Sequence, residues 1–275
     1  MKNILFIALL TCFTTVVNAE KTSQASDIEL ITQPLNSYLT GHIKGDKNLL
    51  GKALHSEGKL SYLREGEYRK IEFPDYLSRM KLRKPNDGVT RIPYIKSIDV
   101  SGNMAVARLV LDYSTMLFTD YMTLLKINGE WKITNKIAYS VRDPKNNKAI
   151  SANIAEVLAP ISLFVKAYQT GKTTHLQNIF HKEAKTMSVL KSEYVAVTNK
   201  TFLSQFSQQS ALQEKLLKHK IQSVDTTGNV AVAKVTFYYP SATNSHYISL
   251  LNIDGTWKIV NNAFDITFNK VKTLK

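Results

Sequence analysis

The chain of 275 residues holds one cysteine, Cys12, and it falls in the N-terminal leader described below. The remainder therefore has no disulfide, no thiolate metal site and no cysteine nucleophile, and its stability must come from packing. No apolar run is long enough to cross a membrane as a helix. There is no nucleophile-elbow sequence, no His-Glu-x-x-His helix and no glycine-rich phosphate loop. Gly171-Lys172-Thr173 is only a fragment of such a loop, without the upstream glycine spacing. Disorder of the whole chain is excluded by its 44% hydrophobic content.

The leader is what the first residues do contain. Lys2 gives a positive start, Ile4 to Leu10 is unbroken apolar sequence, and Phe13 to Val17 extends it. Val17-Asn18-Ala19 suits a signal peptidase. Residues 1–19 are expected to be a secretory signal peptide cut after Ala19, which places the protein in the periplasm or outside the cell. Acylation of Cys12 as a lipoprotein is the alternative. It is disfavoured because Thr11 suits the position before that cut poorly and the apolar run would be very short.

Formal net charge is +14. The basic residues are scattered rather than gathered in a stripe with interleaved aromatics. Two local runs, Arg79 to Lys84 and Lys215 to Lys220, do not occupy equivalent positions in the repeat described next. A solvated surface is the expectation, with no nucleic-acid partner.

Ser97-Ile98-Asp99-Val100-Ser101-Gly102-Asn103-Met104-Ala105-Val106-Ala107 reappears 126 residues later as Ser223-Val224-Asp225-Thr226-Thr227-Gly228-Asn229-Val230-Ala231-Val232-Ala233. The offset also holds downstream, where Asn128-Gly129-Glu130-Trp131-Lys132-Ile133 meets Asp254-Gly255-Thr256-Trp257-Lys258-Ile259. Upstream it pairs Pro34 with Pro160, Gly45 with Gly171, His55 with His181 and Tyr68 with Tyr194. A fixed offset without gaps means two copies of one domain. The first is assigned to residues 27–141 and the second to 153–268, with a polar linker over 142–152.

Each copy has one order of elements. Ile28, Ile31, Leu35, Tyr38 and Leu39 recur at helical spacing and Gly45 ends that helix; Val157 to Tyr168 repeats the pattern. A second helix is expected near 48–54 and 174–180, short strands near 59–69 and 185–197, and a third helix near 72–82 and 200–209. A β meander closes each copy, with hairpin turns at Gly102-Asn103, Asn128-Gly129 and their counterparts. The expected fold is α+β: two tandem cone-shaped domains, each of three helices packed on a curved, mostly antiparallel sheet. A sheet curled around helices leaves a cavity, the default place for a small ligand.

The run Phe118 to Ile133 with Asn135-Lys136, together with Leu54-His55, Glu57-Gly58-Lys59 and Gly102 to Ala107, resembles the putative lumazine-binding group of the nuclear transport factor 2-like (SnoaL-like, ketosteroid isomerase-like) superfamily. The resemblance covers nearly the whole chain beyond the leader, twice. Members include isomerases, dehydratases, polyketide cyclases, binding proteins and dimerisation modules, so it implies a fold without choosing an activity. Single-domain members dimerise through their sheets. The tandem is accordingly expected to be an intramolecular pseudo-dimer.

His55, at the end of the second helix, and Asp120, opening a long strand, are the candidate catalytic pair: a base with its orienter, or an acid and a base for dehydration. Tyr38, Tyr113 and Tyr121 are candidate donors to an oxyanion or ligand. The competing reading is that His55 bonds local backbone and Asp120 holds a strand end. The repeat discriminates: His181 retains the histidine, but His246 stands where Asp120 does. Any catalysis therefore belongs to the first copy. The second offers His181, Tyr239, His246 and Tyr247 as ligand-binding residues. Two histidines without a third ligand make no metal site, so neither metal nor cofactor is expected. Trp131 and Trp257 alternate with isoleucine on an inner face, as core or pocket lining. These observations favour non-catalytic binding of a small, partly apolar ligand or a protein partner. An isomerase or dehydratase using His55 and Asp120, and a structural or interaction module, are the alternatives.

Overall fold

The computed structural model describes residues 15–84, 87–147, 152–209 and 215–269. Most of the expected leader, with Cys12, lies outside them. Among the described residues no helix is long and apolar enough to cross a membrane.

The first domain comprises α1 (Thr15–Lys44), α2 (Lys47–Ala53), β1 (Leu54–Arg64), β2 (Glu67–Glu72), α3 (Phe73–Ser78), β3 (Ile92–Ser101), β4 (Met104–Asp112), β5 (Met116–Ile127) and β6 (Glu130–Arg142). The second comprises α4 (Ile154–Thr170), a 3-10 turn (Thr173–His175), β7 (Phe180–Leu190), β8 (Glu193–Thr198), α5 (Asn199–Gln209), β9 (Lys218–Thr227), β10 (Val230–Tyr238), β11 (Ala242–Ile253) and β12 (Thr256–Phe268). The sheets have the same order, β2-β1-β6-β5-β4-β3 and β8-β7-β12-β11-β10-β9. Within each, only the pairings β1 with β6 and β7 with β12 are parallel. The α+β architecture and its duplication are as the repeat implies.

Local chemistry explains where the boundaries fall. Gly45 and Gly171 end the long helices with φ of 64° and 67°, the left-handed cap that glycine enters without steric cost. The Asn128-Gly129 and Asp254-Gly255 hairpins have positive φ at both turn residues, as a type I′ turn demands. The expected second helix of the second copy is corrected to the 3-10 turn. In the first copy Asp46 caps α2, accepting from the backbone N–H of Asn48 and Leu49. Its counterpart is Lys172, which supplies no side-chain cap, so the first amides of the turn gain no side-chain acceptor. The third helix of the first copy is shorter than expected, ending at Ser78.

Strand alternation divides each sheet between two environments. On β4, Ala105, Ala107 and Leu109 face the first core beside Ile31, Leu35 and Leu50. Met104 and Val106 face the other way, into a layer shared with Val230, Val232, Leu251 and Val260 of the second domain. The sheets therefore pack against each other through an apolar layer. Its contacts are reciprocal under the 126-residue offset. Arg108 pairs with Asp225 at 2.8 Å and Lys234 with Asp99 at 2.9 Å. Lys59 donates to the backbone oxygen of Glu183, and Lys185 to that of Glu57.

Candidate functional site

The cone of the first domain encloses a cavity of about 500 Å³, within the range of small-molecule sites. Its walls include Leu60, Tyr62, Leu111, Phe118 and Ala138, and its polar lining includes His42, Tyr76, Tyr113, Asp120 and Lys136, with Arg64, Arg83, Ser140 and Asn229 also on it.

Asp120 sits on β5 and Lys136 on the adjacent β6, and α1 supplies Tyr38 and His42 across the cone. Asp120 is 0% and Lys136 5% exposed. Lys136 Nζ lies 2.6 Å from Asp120 Oδ2 and donates to Tyr38 Oη at 2.6 Å. Tyr38 in turn donates to Asp120 Oδ2 at 3.3 Å. The chain continues through Tyr76 Oη, 3.4 Å from Tyr38 Oη and 2.6 Å from His42 Nε2. His42 Nδ1 faces Tyr113 Oη at 3.4 Å. A buried charge is tolerated only when paired and hydrogen-bonded, and this network supplies both.

One atom is left over. Asp120 Oδ1 is buried with no hydrogen-bond partner among the described residues. Burial pushes the Asp120 carboxyl up, against the pull of the Lys136 ammonium. Burial opposes the charge of Lys136 too, but Asp120, Tyr76 and Tyr113 together hold it protonated above the ordinary lysine range. Burial, then Lys136 and Arg83, push His42 well below the ordinary histidine value, so it is neutral at pH 7. Burial lifts the Tyr113 phenol to about 12. All three tyrosines are protonated donors.

The second domain closes the corresponding space with aromatic side chains. Phe164 stands in the place of Tyr38, Tyr168 of His42, Phe202 of Tyr76, Phe206 of Met80, Phe237 of Leu111 and Phe264 of Ala138. All but Phe264 belong to the second core. Tyr168 stacks on Phe237 at 4.1 Å. The Asp120–Lys136 pair becomes His246 and Asn262, a neutral pair whose Nδ1 and Oδ1 lie 3.0 Å apart.

Of the sequence candidates, Tyr113 and Asp120 line the first cavity, and Tyr38 stands behind them, bonded to Asp120 and Lys136. His55 does not line it. Its ring lies against Tyr194 of the second domain, with centroids 4.3 Å apart, and its Nδ1 accepts from the Glu57 amide. The His55–Asp120 pair is therefore not assembled. His181 is the mirror case, 3.9 Å from Tyr68. Tyr121 and Tyr247 face the layer between the sheets, Tyr121 meeting Thr227 Oγ1 at 3.2 Å, because β5 and β11 place these residues opposite Asp120 and His246. Trp131 and Trp257 lie in the two domain cores. His246 is fully buried among Phe164, Tyr168, Phe237 and Phe264, and Tyr239 packs on the same core. Among the described residues no group of three His, Cys, Asp or Glu side chains is placed to hold a metal ion.

Sequence reasoning missed His42, Tyr76 and Lys136. The repeat carried a signal for each. Along the fixed offset they change to Tyr168, Phe202 and Asn262, the same exchange of polar for aromatic or neutral that marks Asp120 and His246.

A family model described as "Putative lumazine-binding" matches the chain twice, over residues 26–139 and 152–265. No curated protein matches. Similar solved structures each span about one domain. An NTF2-like protein of unknown function from Shewanella baltica OS155 is 22% identical, with 42% of this chain and 95% of that one covered and a TM-score of 0.38. An NTF2-like protein from Silicibacter pomeroyi DSS-3 is 20% identical, with 43% and 98% covered and a TM-score of 0.38. A domain with a cystatin-like fold from Nostoc punctiforme PCC 73102 is 13% identical, with 44% and 81% covered and a TM-score of 0.37.

Proposed function

The chain belongs to the putative lumazine-binding family, and we propose that it is an exported, non-catalytic protein that binds a small, partly apolar ligand in the cavity of its first domain. The carrying observation is the contrast between the copies. One fold holds an open cavity with a buried Asp120–Lys136 pair in the first domain, and in the second the pair is replaced by His246 and Asn262 among packed phenylalanines. A buried ion pair beside open space is a poor device for stability alone. Beside a ligand it supplies orientation, while the aromatic walls supply apolar contact.

The family description suggests a pteridine-type ligand, planar and rich in N–H groups. Tyr62, Tyr76, Tyr113 and Phe118 on the walls suit such a ring, and Asp120 Oδ1 offers it an acceptor. Catalysis by His55 and Asp120 loses its support, because His55 is engaged at the domain interface.

Mass spectrometry of the small molecule that co-purifies with the exported protein tests the reading, as does fluorescence titration with lumazine. Saturable binding should be lost in Ala138→Phe, which copies Phe264 into the cavity. Turnover abolished by Asp120→Asn would instead establish an enzyme. Export rests on the leader: the secreted protein should begin at Glu20. The reciprocal contacts favour a rigid pseudo-dimer, and NMR relaxation showing independently tumbling domains would overturn it.

A further inference from the structure

One residue lining the first cavity comes from the other domain. Asn229 belongs to the Thr227-Gly228-Asn229-Val230 turn between β9 and β10, and it lines the cavity together with Tyr139 and Ser140. Its Oδ1 is buried without a hydrogen-bond partner among the described residues. Asp120 Oδ1, on the same cavity, is in the same condition. Two acceptors removed from water and left unsatisfied are costly unless something donates to them.

The repeat shows that this is particular to one side. The counterpart of Asn229, Asn103, is exposed, so the same amide oxygen meets solvent, and the Asn103 Nδ2 donates to Asp265 Oδ1 at 3.4 Å. Asp265 stands where the first domain has Tyr139, which gives Asn229 no such partner. The turn that carries Asn229 is also fixed in place. Gly228 has φ 58°, and a Cβ there would fall 2.3 Å from the Tyr139 ring. The backbone is thus seated directly on the cavity rim.

Resting on the ligand-cavity reading above, we propose that the second domain is the closing wall of the first domain's site, with Asn229 and Asp120 together receiving hydrogen bonds from a donor-bearing heterocycle. Where the first domain lines its cavity, the second carries the packed aromatic residues Phe164, Tyr168, Phe202 and Phe237. The ligand class is a planar ring with N–H groups on its edge, of the kind found in pyrimidinediones and pteridinediones.

The test compares lumazine with 1,3-dimethyllumazine, which keeps the ring and lacks both N–H donors, on the full mature chain. Wild type should bind lumazine at least about tenfold more tightly, the scale of a hydrogen bond to a buried acceptor. Asn229→Ala should weaken lumazine about tenfold and leave the dimethyl compound unchanged, whereas Asn103→Ala should alter neither. Circular dichroism and melting confirm that each variant is folded. The proposal is overturned if Asn229→Ala binds lumazine like wild type, or if both rings bind equally or not at all. The underlying cavity reading is judged separately with 8-anilinonaphthalene-1-sulfonate. If Ala138→Phe lowers binding of this dye while lumazine fails, the cavity stands and only the donor-edge proposal falls. If the dye binds Ala138→Phe undiminished, the cavity reading fails and the proposal goes with it.

Discussion

His55 packs its ring on Tyr194 across the domain boundary, and its counterpart His181, 126 residues later, packs in the same way on Tyr68, the counterpart of Tyr194 126 residues earlier. A histidine kept in both copies thus has a structural explanation that applies to both. Each ring covers the partner's tyrosine, and each accepts from the amide two residues on. Burial lowers both histidines from their ordinary value, so they pack as neutral rings at pH 7.

Replacing His55 should therefore weaken the interface without touching the ligand. We expect His55→Ala to lower unfolding free energy by about 1 kcal/mol, the scale of one aromatic pair. Ligand affinity should be unchanged. Denaturant melts and a binding titration on one preparation check both halves, and a loss of binding without loss of stability would contradict the assignment.

Lys136 should be among the most sensitive positions in the first domain. Lys136→Met strands the Asp120 carboxylate in a fully buried site, a change expected to cost roughly 3–5 kcal/mol. The double variant Asp120→Leu with Lys136→Met should recover most of that loss, since two apolar groups carry no desolvation penalty. Urea unfolding of the single and double variants measures the difference.

Stability should fall in mild acid. Burial holds the His246 pKa down at about 4 and pushes His42 well below its ordinary value. An unfolded histidine takes up its proton near pH 6.5, while these two resist it when folded. Their contribution is complete above pH 6.5 and is lost as pH falls below it, for His246 between 6.5 and about 4. His246 alone accounts for roughly 3 kcal/mol across that window. His246→Phe, which matches its aromatic surroundings, should flatten this part of the pH–stability profile measured by thermal melting.

Two turn glycines should respond differently to alanine. Gly228 and Gly255 both have positive φ, so each substitution carries the backbone cost, about 1 kcal/mol. A Cβ at Gly255 meets nothing within 4 Å, whereas at Gly228 it would strike the Tyr139 ring. Gly228→Ala should be more destabilising than Gly255→Ala by about 1–3 kcal/mol, and it should also displace Asn229 from the cavity. Equal melting temperatures for the two variants would show that the turn is not seated on the first domain.

The architecture was largely legible before any coordinates. Hairpin turns, glycine caps and strand alternation are written locally, and duplication wrote each of them twice. Misreadings came where local sequence was ambiguous. Over 174–180 the repeat suggested a second helix like α2, but Lys172 cannot cap it as Asp46 caps α2. The candidate site was half legible. Asp120, Tyr38 and Tyr113 were chosen by residue type and do converge. His55, Tyr121 and Tyr247 were chosen on the same grounds and face the other domain instead.

The sequence by itself determined the repeat, the fold class and the divergence of the two copies at Asp120 and His246, because a fixed offset exposes every exchange without knowledge of distance. Only the tertiary structure decided which exchanges belong together. Tyr38, His42, Tyr76, Asp120 and Lys136 are spread over α1, α3, β5 and β6, and they meet because the curled sheet brings its inner face onto the helices. The face of a strand on which a polar side chain lies is set by pairing register, and what covers that face is set by the packing of the two sheets. Those two facts made His55 an interface residue and brought Asn229 to a cavity in the other domain.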